Sequence, residues 1–160
     1  MKVLVEEGIS MLKIAIGSDH RGYMHKAVIQ QSVSLDMQPI EWLDCGAFNE
    51  QRTDYPPFAY DVVNAMHKGD AHYGILLCGS GAGMAIAANR FDKIYAALVW
   101  NVITAQRAKE EDNANILVLP ADYCSPKESV EMVITWLNAQ FLDNRYEKRI
   151  EMIDKWGGLK

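Results

Sequence analysis

The stretch Tyr73-Gly74-Ile75-Leu76-Leu77-Cys78-Gly79-Ser80-Gly81-Ala82-Gly83-Met84-Ala85-Ile86-Ala87-Ala88-Asn89 decides the fold. Its first six residues are apolar throughout, as a strand buried on both faces requires. Glycines then alternate at 79, 81 and 83, and a helix-compatible apolar pattern resumes at Met84. Such a turn exposes backbone N–H groups at the start of a helix, where an anion can bind. Tight strand–helix packing also demands glycine, so the loop by itself leaves both readings open. It is not a nucleotide P-loop, because no Gly-Lys-Ser/Thr follows. The full dinucleotide pattern fails too, since its third glycine position falls on Met84. Cys78 stands directly before the loop. A thiol facing a helix N-terminus can have its pKa lowered from about 8.5 toward neutrality, whereas a buried, inert thiol is the commoner fate of a lone cysteine.

The same strand–turn–helix unit recurs on either side. Apolar runs predict strands at Leu12–Gly17, Pro39–Leu43, Ile94–Trp100 and Asn115–Leu119, each buried on both faces. Helical segments fit about 21–35, 56–68, 82–90 and 102–111, with further helices at Pro126–Ala139 and Asn144–Lys155. Ser125, Pro126 and Glu128 form a capping box with proline at the first helical position, and Val130, Val133, Ile134 and Leu137 are the expected buried stripe. Regular alternation of this kind implies right-handed crossovers, a parallel sheet and helices on both faces. Function then belongs at the carboxyl ends of the strands.

The chain has 160 residues, 49% hydrophobic and 23% charged, the balance of one globular domain. No apolar run reaches the roughly 20 residues of a membrane span. A net charge of −5 makes a general binder of nucleic acid or anionic membrane a poor reading. Cys45, Cys78 and Cys124 form neither a disulfide framework nor a metal cluster, so a reducing cytoplasm is expected, with Cys45 and Cys124 as inert buried thiols. Residues 1–10 precede the ordered pattern as an extension. Glu6-Glu7-Gly8 fits codons resembling a ribosome-binding site, which makes Met11 the alternative start; a short packing arm is the other reading.

Further candidates stand at the other strand ends. Gly17-Ser18-Asp19-His20-Arg21-Gly22 places Asp19 and His20 where they either contact substrate or serve as a helix cap with an exposed neighbour. Arg145 and Arg149, one turn apart, have no carboxylate three or four positions away, which suits an external phosphate; a solvated basic face answered by Asp or Glu elsewhere in the fold is the other reading. Glu111 lies four residues beyond Arg107, the spacing of an ordinary helix salt bridge.

Gly17–Gly22, Arg52-Thr53-Asp54-Tyr55-Pro56, Cys78–Gly83, Ala87-Ala88-Asn89, Asn113-Ala114-Asn115 and Arg145-Tyr146-Glu147-Lys148-Arg149 together resemble the ribose-5-phosphate isomerase B and galactose-6-phosphate isomerase family, from Met11 to about Lys155. The resemblance implies an α/β fold, a Rossmann-like three-layer α/β/α sandwich with a five-stranded parallel sheet. It also implies a homodimer or homotetramer with active sites shared between subunits, the C-terminal helix reaching the partner, and no metal or organic cofactor. Cys78 would be the base that moves a proton between adjacent carbons through a cis-enediolate. Gly79, Gly81, Ala82 and Gly83 would offer N–H groups to the oxyanion, with Ser80 assisting. Asp19 would bind sugar oxygens, Tyr55 would line the pocket, and His20, Arg145 and Arg149 would gather the phosphate.

One departure touches the substrate. Relatives acting on ribose 5-phosphate usually carry a ring-opening His-Asn pair where this chain has Glu111-Asp112, and a histidine where it has Tyr146. Glu111 is expected to replace the ring-opening group, with Asp112 beside it at the substrate. A sugar phosphate that needs no ring opening, or a different partner chain, are the alternatives. Ribose 5-phosphate is the default substrate; a galactose 6-phosphate, hexose or tetrose phosphate, or a non-catalytic phosphate-binding module, are the competing readings.

Overall fold

The first strand, β1 (Leu12–Ser18), leads into α1 (Tyr23–Ser32), and the alternation continues through β2 (Ile40–Asp44), α2 (Pro56–His67), β3 (Tyr73–Cys78) and α3 (Ala82–Ala88). It goes on with β4 (Ala96–Leu98), α4 (Val102–Glu110), β5 (Ile116–Pro120), α5 (Pro126–Asn138) and α6 (Arg145–Gly157). This is a computed structural model, which describes residues 10–36 and 38–157; the expectation for the extension falls almost wholly on residues 1–9, outside the described residues. The strands form one sheet in the order β2-β1-β3-β5-β4, every neighbouring pair parallel. The expected three-layer sandwich is therefore present.

Right-handed crossovers decide which face each helix covers. The steps β1 to β2 and β4 to β5 run one way along the sheet, and the steps through α2 and α3 run the other way. One face accordingly packs Ile29 of α1, Ala105 and Ala108 of α4, and Met132, Val133 and Trp136 of α5. The opposite face packs Ala59, Val62 and Val63 of α2 against Met84 and Ala88 of α3. The chain leaves β1 toward β2 and returns beyond it to β3, so the carboxyl ends of β1 and β3 flank a topological switch point.

Several local expectations change. β2 and β4 are edge strands with no fully buried residue, whereas β1, β3 and β5 are buried almost throughout. Only the central strands meet the two-sided burial that a continuous apolar run implies. β4 keeps just three of its seven expected residues, and α1 stops at Ser32. The capping box of α5 is present, but its buried face is Ser129, Met132, Val133 and Trp136; Val130, Ile134 and Leu137 are only partly buried. The indole settles the rotation, because its N–H donates to the Ala114 carbonyl at 3.2 Å. Cys45 and Cys124 are half-buried rather than sealed in the core.

Two motif asparagines are structural. Asn89 both accepts from and donates to the backbone of Ala96 at 2.8 Å, and Asn115 does the same with Tyr95 N–H and the Lys93 carbonyl. They replace the ladder bonds that a three-residue edge strand lacks. No described helix is long and apolar enough to cross a membrane.

Candidate active site

β3 delivers Cys78 to the switch point with 5% of its surface exposed, and the Gly81 N–H donates to its sulfur at 3.2 Å. Gly81 has φ +76 and begins α3, and a Cβ there would lie 2.4 Å from Leu98 Cδ1. Gly81→Ala is therefore expected to lower stability by about 2 kcal/mol or more, from left-handed strain plus overpacking, read as a lower Tm. The thiol departs from the lowered-pKa reading. Burial pushes its pKa up, while backbone N–H groups of Met84, Gly81 and Ser80 pull it down and the charge of Asp19 adds to the rise. Desolvation outweighs the glycine loop, and α3 is only seven residues long, so its dipole is small. Two loop donors are also already engaged. Gly81 faces the sulfur, and Ala82 N–H donates to the exposed Ser80 hydroxyl at 3.3 Å.

Asp19 and His20 stand beside this loop. Asp19 is 6% exposed, and its Oδ1 accepts from Arg21 N–H at 2.9 Å and Gly22 N–H at 3.2 Å. It makes this turn ahead of α1, whose cap is Gly22 without a side-chain bond. Its own N–H donates to the Leu77 carbonyl at 3.1 Å, fastening it to the residue before Cys78. His20 is half-buried, not exposed, and its Nδ1 accepts from Thr53 N–H at 3.3 Å. The neutral ring then carries its proton on Nε2. Tyr55 packs so closely on the loop that a Cβ at Gly83 would sit 2.5 Å from its ring. Cys78, Ser80, Asp19, His20, Tyr55 and the glycines thus share the carboxyl edge.

Glu111, Asp112, Arg145 and Arg149 do not join them within one chain. α4 starts at the carboxyl edge and runs back beside parallel strands, so its nine residues carry Glu111 about 13 Å toward the amino edge. The Leu142 N–H donates to the Glu110 carbonyl at 2.9 Å, which brings the start of α6 to that same end. There Glu111 lies 3.0 Å from Arg107, the helix salt bridge that its spacing predicts. The Asp112 carboxyl is raised by burial and by Glu111, and lowered by Arg149. Arg145 and Arg149 bracket the Tyr146 ring at 4.9 and 5.3 Å, and neither has an ion-pair partner among the described residues.

Sequence reasoning passed over Lys26, Thr53 and the Arg21–Asp122 pair, which brace this edge. Arg21 sits inside a quoted motif, but Asp122 is 101 residues away and carries no local signal. Concavities of about 480 and 600 Å3 occur elsewhere, between α4 and α5 and beside the Asn89–Tyr95 segment, and none of their lining residues is Cys78. Among the described residues no group of three or more histidines, cysteines and carboxylates is placed to hold a metal ion.

The sequence model of the Ribose/Galactose Isomerase family matches residues 14–153. The chain belongs to that family. Ribose-5-phosphate isomerase B of Escherichia coli is 35% identical over 143 residues, spanning 89% of this chain and 95% of that protein. The ribose 5-phosphate isomerase of Thermotoga maritima superposes with a TM-score of 0.84 at 39% identity, covering 91% of this chain and 99% of that one. The Mycoplasma genitalium ribose-5-phosphate isomerase B, solved with bound ribulose-5-phosphate, gives 0.83 at 33% identity and covers 92% and 97%.

Proposed function

We propose that the chain is an aldose–ketose isomerase of a phosphorylated sugar, with ribose 5-phosphate and ribulose 5-phosphate as the default pair. Family membership with near-complete coverage supports the isomerase class. The observation that carries the site is Cys78 beside a glycine turn, with Asp19 and His20 on the adjoining strand end. A carbon acid needs a positioned base, donors for the developing oxyanion and an anchor for the distant phosphate. Cys78 is the base, moving one proton between adjacent carbons through the cis-enediolate. The free N–H groups of the loop, with Ser80, face the oxyanion. Asp19 takes sugar hydroxyls and His20 donates from Nε2.

The arginine pair of the anchor, Arg145 and Arg149, comes from a second copy. Arg145 and Arg149 stand at the opposite edge of their own chain, so a substrate on Cys78 meets them only across a subunit interface. The working unit is a homodimer, or a tetramer built from it, with α6 reaching the partner and Glu111 and Asp112 arriving with the arginines. Equimolar mixing of inactive Cys78→Ala and Arg149→Met chains, with subunit exchange, is expected to restore about a quarter of wild-type activity, because half the dimers are mixed and each keeps one intact site. Sites contained within one chain would restore none.

Glu111 acts as the ring-opening acid/base. Its bridge to Arg107 is exposed and worth about 0.3–0.5 kcal/mol, so Glu111→Gln is nearly neutral for stability. It is expected to lower turnover of ribose 5-phosphate by about tenfold or more. A tetrose 4-phosphate, unable to close a five-membered ring, is expected to be insensitive to it. Turnover across pentose, hexose and tetrose phosphates with the purified chain tests the substrate directly, and catalysis of none of them overturns the reading.

A further inference from the structure

We propose that Arg21, aimed by Asp122, contacts the substrate phosphate from the same chain that supplies Cys78. This residue-level assignment rests on the isomerase reading above. Arg21 directly follows Asp19 and His20. Its Nε donates to Asp122 Oδ2 at 2.8 Å and Oδ1 at 3.1 Å, and its Nη2 lies 2.5 Å from Oδ2. The pair joins the end of β1 to the end of β5, across β3. Asp122 is itself tied to the catalytic loop, its N–H donating to the Gly79 carbonyl at 3.0 Å.

Gly79 shows how near the pair comes to Cys78. A Cβ on Gly79 would lie 2.7 Å from Asp122 Oδ2 and 2.8 Å from Arg21 Nε. The guanidinium therefore rests on the residue adjoining the thiol. It is pinned along one edge yet 54% exposed. A guanidinium has five N–H donors in a plane, and with the Nε–Nη2 edge engaged by Asp122 the Nη1 donors have no hydrogen-bond partner among the described residues. A fixed fork with a free edge is the geometry that phosphate oxygens accept. Arg145 and Arg149 lie at the opposite edge of the same chain, so Arg21 is the carboxylate-oriented guanidinium that each chain places beside its own Cys78. Asp122 is a positioning residue. It cancels part of the net charge of Arg21 but sets the plane in which its remaining donors point.

The test pairs steady-state kinetics on ribose 5-phosphate with calorimetric titration of inorganic phosphate. Arg21→Met is expected to raise KM, and to weaken inhibition by inorganic phosphate, each by about tenfold or more, with kcat changed much less. Arg21→Lys keeps the charge without the fork and is expected to recover part of both losses. Asp122→Asn is expected to give a smaller rise in the same two constants. Thermal melting identifies the folded variants, and Arg21→Lys provides the comparison if Arg21→Met does not fold. KM and the phosphate inhibition constant both within about twofold of wild type in a folded Arg21 variant overturn the proposal, as does a loss confined to kcat. If the wild type isomerises no sugar phosphate, the isomerase reading fails. The titration then decides Arg21 separately: weaker phosphate binding in the variant upholds it, and unchanged or absent wild-type binding overturns it.

Discussion

Cys78→Ala is expected to lower kcat by about a thousandfold while leaving the fold intact. The side chain removed is small, and its sulfur is bonded to the Gly81 N–H, so stability should fall by about 1 kcal/mol. A coupled isomerase assay reads the rate, and solvent-deuterium incorporation into the product reads the proton transfer itself. If turnover persists at the wild-type rate, another group is the base. The wild-type pH profile makes a second expectation with a definite sign. The base must be thiolate, and burial raises the thiol above its ordinary value in the single chain. The kcat/KM profile should therefore climb with pH, its ascending limb on the alkaline side of an ordinary thiol, and Cys78→Ala should lose that limb.

Lys26→Met is expected to be the most damaging single change to stability, at about 3 kcal/mol, the lower end for breaking a buried ion pair. Lys26 is 1% exposed, and its Nζ lies 2.5 Å from Asp44 Oδ1 and 2.6 Å from the Ala47 carbonyl. Asp44 Oδ1 also accepts from Gly46 N–H at 2.9 Å. Gly46 and Ala47 in turn exchange backbone bonds with Ser18, immediately before Asp19. One ammonium thus fastens the loop after β2 to the end of β1. The same loop continues to Thr53, which holds His20, and to Tyr55, which packs on Gly83. Because the Asp44 side chain is about one-third exposed, water offsets part of the loss. Thermal melting should show a fall of about 6–12 °C. Asp44→Asn in the same background should recover part of it by removing the unpaired carboxylate. A Lys26→Met protein melting with the wild type would mean that the loop is held by its backbone bonds alone.

Among the elements, β1, β3 and β5 were the most legible, because two-sided burial writes itself as an unbroken apolar run. β4 misled for the same reason, whereas in β2 the charged, exposed Glu41 already interrupts the run. An edge strand tolerates an apolar run without being buried, and β4 is pinned by Asn89 and Asn115 rather than by its own length. The rotation of α5 was likewise hidden, since Trp136 turns inward onto partners distant in the chain, the Tyr73 ring and the Ala114 carbonyl that accepts its N–H. In the site, Cys78, Asp19 and His20 were readable from their place after apolar runs. The state of the thiol was not. Its pKa depends on whether burial or the loop donors prevail, a balance of three-dimensional distances.

By itself the sequence determined the class of fold, the edge of the sheet where chemistry belongs, and the residue types gathered there. Periodicity and strand-end position are local properties, and local properties survive in a linear reading. Tertiary structure alone decided which of those residues meet. The return of α4 along the sheet parts Glu111, Asp112, Arg145 and Arg149 from Cys78. The closing of β1 on β5 across β3 joins Arg21 to Asp122. Both outcomes follow from strand order, set by crossovers that bury two faces at once, and no spacing along the chain records it.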